Sequence, residues 1–364
     1  MTTRIADLPT PCVLISRRIL ESNLQAMAER CRSLGVRLRP HIKTHNLPEI
    51  AQRQLHAGAG GVTVATPQEA ALAARHGVRD IFVAREVADR VDLCALLDVA
   101  RSVHLITAVD SVAGAEALAE VAAAREMPMA VRLEVDTGGQ RCGVATLEAL
   151  TALARRVLAL PALRLEGIFT HEGHVYGAAD HQDLIRQATA AVQALGAMGA
   201  GLRAAGVPCG EVSVGSSPSA KTATDFRGVT EVRPGNYVFN DGMQVANGTA
   251  RIEDCALSVV ATVISRPAPD RAVLNVGSKL LGSDRGKNAS DTGGYGLVLE
   301  PERQVLTRLY EEHGVIDAAT GLRVGQRVRL LPTHACIVAN LARTVALVDD
   351  RGGVVEVWSN RRYA

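Results

Sequence analysis

Val36-Arg37-Leu38-Arg39-Pro40-His41-Ile42-Lys43-Thr44-His45 passes from β-prone residues into a polar cluster and sets Lys43 at the carboxyl end of an expected strand. An amine there, partly desolvated and close to other cations, is able to attack a carbonyl. The surroundings repeat the pattern. From residue 11 to about 240, β-rich runs at 12–16, 36–44, 61–66, 80–84, 104–109, 130–136, 163–170, 211–215 and 231–239 alternate with Ala/Leu/Arg-rich stretches. The latter predict helices over 18–33, 67–76, 112–125, 147–158 and 180–205; in the first, Leu20, Leu24, Met27 and Cys31 share one helical face. Thr66 before Pro67-Gln68-Glu69 reads as an N-cap. Alternation at this pitch implies parallel strands with right-handed crossovers, and about eight units close into a (β/α)8 TIM barrel, whose chemistry sits at the carboxyl ends of its strands. No GxGxxG turn follows the first strand, which disfavours a doubly wound open sheet.

After about residue 245 the texture changes. Strand-like runs at 257–265, 272–276, 296–299, 327–331, 341–348 and 354–358 are punctuated by Pro267-Ala268-Pro269-Asp270 and Asp349-Asp350-Arg351-Gly352-Gly353. The expected organisation is α/β: a barrel over 8–245, then a mostly-β domain over 246–364 joined by residues 1–7.

Composition narrows the function. The 364 residues are 47% apolar and 21% charged with net charge +2, so no nucleic-acid partner is expected. Aromatics make up only 3%, too few for a base-stacking surface. No run reaches the roughly 18 apolar residues that span a bilayer, and no signal peptide is read at the start, so no membrane partner is expected. Seven scattered cysteines form no disulfide pattern, which suggests a cytoplasmic setting.

Functional groups gather at expected strand ends. Beside His41, Lys43 and His45 stand Glu134-Val135-Asp136-Thr137-Gly138-Gly139-Gln140-Arg141-Cys142-Gly143 and Thr170-His171-Glu172-Gly173-His174-Val175-Tyr176. Gly215-Ser216-Ser217-Pro218 and Arg233-Pro234-Gly235-Asn236-Tyr237 suit a phosphate, which helix starts and the last barrel strands commonly hold; an ordinary N-cap is the plainer reading of the serines. With Lys43 as a Schiff-base lysine, the expected cofactor is pyridoxal 5'-phosphate (PLP). In the β domain, His334-Ala335-Cys336 follows a strand; in an extended chain both side chains point the same way. Imidazole and sulfur suit zinc, and two ligands leave positions open for water or substrate.

Together these motifs resemble the D-serine dehydratase and D-threonine aldolase family of fold-type III PLP enzymes, built like alanine racemase from a barrel and a β domain. The matching stretches are Arg39–His45, Asp136–Gly143, Val214–Pro218, Arg233–Phe239, Gly277–Gly286, Glu312–Gly314 and His334–Leu341, in one order along nearly the whole chain. The resemblance implies that Lys43 carries the cofactor and serves as the catalytic base at Cα. It implies that Ser216, Ser217, Gly235 and Asn236, followed by Tyr237, hold the phosphate, that Arg141 and Tyr176 border the ring, and that Arg233 faces the pyridine nitrogen. His334 and Cys336 would bind a divalent metal, zinc before manganese or magnesium, and in an aldolase His174 or a metal-bound water would be the base for the substrate hydroxyl. The chain departs at Asn46, where relatives often have another lysine, in the ionisable run His171–His174, and at Ala342-Arg343.

The reaction expected is loss of water and ammonia from a D-configured β-hydroxy-α-amino acid, of the D-serine or D-3-hydroxyaspartate type. Cys336 tilts the choice: in this family dehydratases tend to carry His-x-Cys and aldolases His-x-Asp. Retro-aldol cleavage to glycine and an aldehyde is the alternative, and amino-acid racemisation a second. A homodimer is expected from the resemblance.

Overall fold

The computed structural model describes residues 3–286 and 293–360. The chain forms two compact units: Met27–Lys43 with Pro48–Gly235, and Met1–Ala26 with Thr44–Leu47 and Asn236–Ala364. The expected division at 245/246 is thus replaced by crossings at four points in the chain. Residues 1–2 and 361–364, at the ends of the expected second domain, lie outside the described residues.

The first unit is an eight-stranded parallel sheet. Its strands are Arg37–Leu38, Val62–Val64, Asp80–Glu86, His104–Val109, Met129–Glu134, Leu163–Phe169, Glu211–Val214 and Glu231–Val232. From Val62–Val64 onward each pairs with the next, and Glu231–Val232 pairs with Arg37–Leu38. A bridge between His41 and Thr63, with Thr63 N donating to Pro40 O at 2.8 Å and Gly60 N to Leu38 O at 2.9 Å, joins the two ends and closes the ring. The barrel inferred from the βα alternation is therefore present. Its helices begin at side-chain caps: Thr66, Asp89, Ser111, Thr146 and Asp180 each accept a backbone N–H of the first turn.

Several barrel strands carry charge inward. Glu231 receives Arg39 Nε at 2.8 Å, Arg132 Nη1 at 2.5 Å and the Ser213 hydroxyl at 2.7 Å. Arg39 also forks onto Asp80 at 2.7 and 3.0 Å. Phe82 and Phe169 meet edge to face at 4.9 Å, and the Arg132 and Arg233 guanidinium groups lie over the Phe82 ring at 4.9 and 5.5 Å. With its charges paired and stacked, the interior is filled rather than hollow.

The second unit is a mostly antiparallel ten-stranded sheet. Cys12–Ser16, which stood first in the βα repeat, belongs here: it pairs antiparallel with Leu257–Ala268 and parallel with Thr344–Val348. Val13, Leu14 and Ile15 are all buried, so the strand needs cover on both faces. A β run followed by a helix looks the same in either sheet, since pairing partners are remote in sequence. The expected strand at 341–348 begins only at Thr344, because Ala335–Leu341 is a short helix.

Candidate active site

Lys43 lies on the 3-10 turn Ile42–Thr44, beyond the short strand Arg37–Leu38, rather than on the strand itself. Its backbone N–H donates to His41 Nδ1 at 3.4 Å. It lines a barrel cavity of about 310 Å³ together with His41, Arg141, His171, Gly215 and Arg233, a volume within the range of small-molecule sites. Arg85, Glu86, Cys142 and Phe169 also line it.

The electrostatics of this cavity follow from burial among cations. Burial, then Lys43, pushes His171 down to about 3, and the same two causes hold His41 well below the usual imidazole range. Both rings are neutral at pH 7, and His171 Nδ1 donates to Gly215 O at 2.5 Å. Burial lowers Arg233 to about 10, leaving it a cation at neutral pH. Arg233 Nη1 donates to Ser213 Oγ at 2.6 Å and Nη2 to Thr170 O at 2.7 Å, while its Nε is buried without a partner. Gly215 is required beside it: a Cβ there would stand 2.6 Å from Arg233 Nη2.

Of the residues the sequence assigns to the cofactor, Lys43, Arg141 and Arg233 come together in this cavity. Ser216 and Ser217 follow Gly215 and are buried; the Ser216 hydroxyl caps the helix Ser217–Thr222, accepting Ser219 N at 3.1 Å. His174 and Tyr176 sit on the 3-10 turn Gly173–Gly177 and do not line the cavity. Gly235 ends the barrel unit, whereas Asn236 and Tyr237 belong to the second unit, on the turn Asn236–Val238. His41, His171 and Glu86 were left unassigned by the sequence reading. For the histidines the available signal was their place at a strand end, which is shared by many structural residues.

The donor set of the barrel cavity fits pyridoxal phosphate: an amine, cationic guanidinium groups, neutral imidazoles, and a buried N–H donor still to be satisfied. In the second unit the His-x-Cys pair is brought together by a helix start instead of an extended chain. His334 is the N-cap position of Ala335–Leu341 and Cys336 lies in its first turn. His334 Nδ1 donates to Asp284 Oδ2 at 2.5 Å. Burial opposes its charge, but Cys336, Asp241 and Asp284 outweigh it and push the imidazole up to about 10.

Cys336 Sγ is flanked by the Thr44 hydroxyl and Asn236 Nδ2, both at 3.5 Å. Asn340 Nδ2 donates to Cys336 O at 2.7 Å and Thr44 O at 3.3 Å, and Asn340 Oδ1 accepts from Asn46 Nδ2 at 2.7 Å. Asn46 has φ of 50°, a conformation that asparagine tolerates better than lysine. One imidazole and one sulfur, the ring held by a carboxylate, form a donor set suited to zinc with the usual outer support.

Residues 15–241 match the family described as "Alanine racemase, N-terminal domain", and residues 256–348 match "Putative serine dehydratase domain". D-threo-3-hydroxyaspartate dehydratase of Delftia sp. (strain HT23) is 37% identical, with 98% of each chain covered. The chain belongs to the D-serine dehydratase and D-threonine aldolase family of fold-type III PLP enzymes. It is thus a lyase of that family. D-threonine aldolase of Arthrobacter sp is 31% identical, covering 97% of this chain and 92% of that one. The solved structure of the Delftia dehydratase superposes with a TM-score of 0.92 at 35% identity, over 98% of each chain. An alanine racemase from Bacillus anthracis, at 16% identity, shares the fold with a TM-score of 0.71, over 97% of this chain and 98% of that one. Further solved structures of the dehydratase replace a histidine, and a cysteine two positions later, by alanine; the cysteine variant is titled as the metal-free form.

Proposed function

We propose that the protein is a PLP- and zinc-dependent dehydratase of D-configured β-hydroxy-α-amino acids, with D-threo-3-hydroxyaspartate and D-serine as the substrates to test. The observation that carries this reading is Cys336 beside the carboxylate-held His334. The same His-x-Cys spacing is substituted in the solved variants of the Delftia dehydratase.

A bound pyridoxal ring supplies an electron sink for the bond broken at Cα. Lys43 would hold the cofactor, and its amine would take the Cα proton. Arg233 and Arg141 hold the ring's polar edge, and neutral His41 and His171 keep further positive charge away from Lys43. The Gly215-Ser216-Ser217 backbone, and Gly235, Asn236 and Tyr237, are the proposed phosphate contacts. His334 and Cys336 would hold a metal, which would supply Lewis acidity toward the departing hydroxyl. The enamine released tautomerises and hydrolyses to a 2-oxo acid and ammonia. His174 and Tyr176 keep supporting roles in this reading, with His174 as a proton carrier for the hydroxyl.

Seven cysteines without a disulfide suit the proposed cytoplasmic setting. No described helix is long and apolar enough to cross a membrane. A homodimer, as the family resemblance implies, is checked by light scattering.

Incubation of the purified protein with D-threo-3-hydroxyaspartate, D-serine and D-threonine tests the reaction. Ammonia and the 2-oxo acid in equal amounts are expected. Glycine and an aldehyde without ammonia would instead make the chain an aldolase, the activity named for its 31%-identical relative.

A further inference from the structure

We propose that Glu134 is a positioning residue: Glu134 and Glu86 share one proton, and the singly charged pair holds Arg141 in the wall of the barrel cavity. The two carboxyls end alternate strands, Asp80–Glu86 and Met129–Glu134, which lie one strand apart in the sheet. Alternate barrel strands contribute side chains to the same interior layer, so the fold itself brings these groups level. One ligand atom each from Glu86, Glu134 and Cys142 lie within 4.8 Å of one another.

Glu134 is 3% exposed, and its Oε2 and Glu86 Oε1 are both buried without a hydrogen-bond partner. Two carboxylates are acceptors only and cannot satisfy each other; one proton turns the pair into a donor and an acceptor. Glu134 Oε1 then faces Arg141 Nη2 at 3.4 Å. The Arg141 side chain is 56% exposed, and this ion pair ties it to the buried carboxyl.

The charged and titratable groups around Glu134 are Glu86 from one strand, Arg141 and Cys142 from the following loop, and Arg233 from the last strand. Asp110 stands beyond Cys142. Burial first, and Glu86 second, push Glu134 up to about 8. At neutral pH the proton therefore stays on the pair, and one negative charge faces Arg141. A second charge would repel the first and leave the buried oxygens unmatched.

The consequence for cofactor retention rests on the reading of this cavity as the PLP site; the shared proton does not. Infrared difference spectra of the purified holoenzyme between pH 6.5 and 9.5 test it directly. One protonated-carboxyl band should be present at the lower pH, vanish toward the higher, and be missing in both Glu134→Gln and Glu86→Gln. Glu134→Gln keeps an acceptor for Arg141 and should retain cofactor affinity, whereas Glu134→Ala should weaken it about tenfold. Absence of the band in the wild type, or its survival in both Gln variants, would overturn the proposal. So would calorimetric titration of Mg²⁺ or Zn²⁺ into the wild type that both Gln variants abolish, since the pair would then be a cation site. Failure to release ammonia with the band intact would count against the dehydratase reading alone.

Discussion

The chemistry proposed for Lys43 depends on what stands around it, not on its position in a strand. The same cavity is lined by three arginines, Arg85, Arg141 and Arg233, and by two histidines kept neutral by burial. Lys43→Ala should abolish the visible absorption of bound cofactor and lower turnover by at least about 10²–10⁴-fold, the usual loss for a general base. Retention of the absorption band in that variant would separate the lysine from the cofactor. Asp284 acts at one remove. Through its 2.5 Å contact it fixes the orientation of the His334 ring. Asp284→Asn should weaken zinc binding about 10–100-fold in competition with a chromogenic chelator. The lysine and the His-x-Cys pair were legible in the sequence because their residue types are chemically distinctive. Asp284 was not, because nothing local marks one aspartate as the partner of a histidine fifty residues on.

At the scale of the element, the barrel strands were legible from their alternation with helices, and Thr66 from the proline after it. Their charged interior was not. Glu231 is matched to Arg39, Arg132 and Ser213 from three other strands, and no sequence window spans those positions. The two arginines outweigh the cost of burial and hold its carboxyl well below the usual range. Glu231→Ala strands the buried Arg132 cation, leaves Arg39 with Asp80 alone, and should cost about 3–5 kcal/mol in urea unfolding at pH 7.

The pH dependences have opposite signs. The folded state lowers Glu231, so its contribution is present above the unfolded carboxylate value and is lost as pH falls through the folded one. The folded state raises Glu134 to about 8, so its contribution is full below the unfolded value and is lost as pH rises toward 8. Thermal melts at pH 6 and pH 9 should therefore show a decline in the wild type that Glu134→Gln flattens.

For the whole molecule, the proposed metal ligands His334 and Cys336 belong to one unit and Lys43 to the other. Removal of zinc by a chelator should stop ammonia release while the cofactor absorption and the far-ultraviolet circular dichroism stay in place. Loss of the cofactor band on chelation would contradict that independence. The sequence by itself determined the barrel and named the candidate cofactor lysine and candidate metal ligands, because periodicity and side-chain chemistry are local properties. Only the tertiary structure decided which sheet takes Cys12–Ser16, that His334 and Cys336 meet at a helix start, and that His171 rather than Tyr176 lines the cavity. Each of these depends on contacts between residues far apart in the chain, where pairing, burial and charge are settled by the folded surroundings.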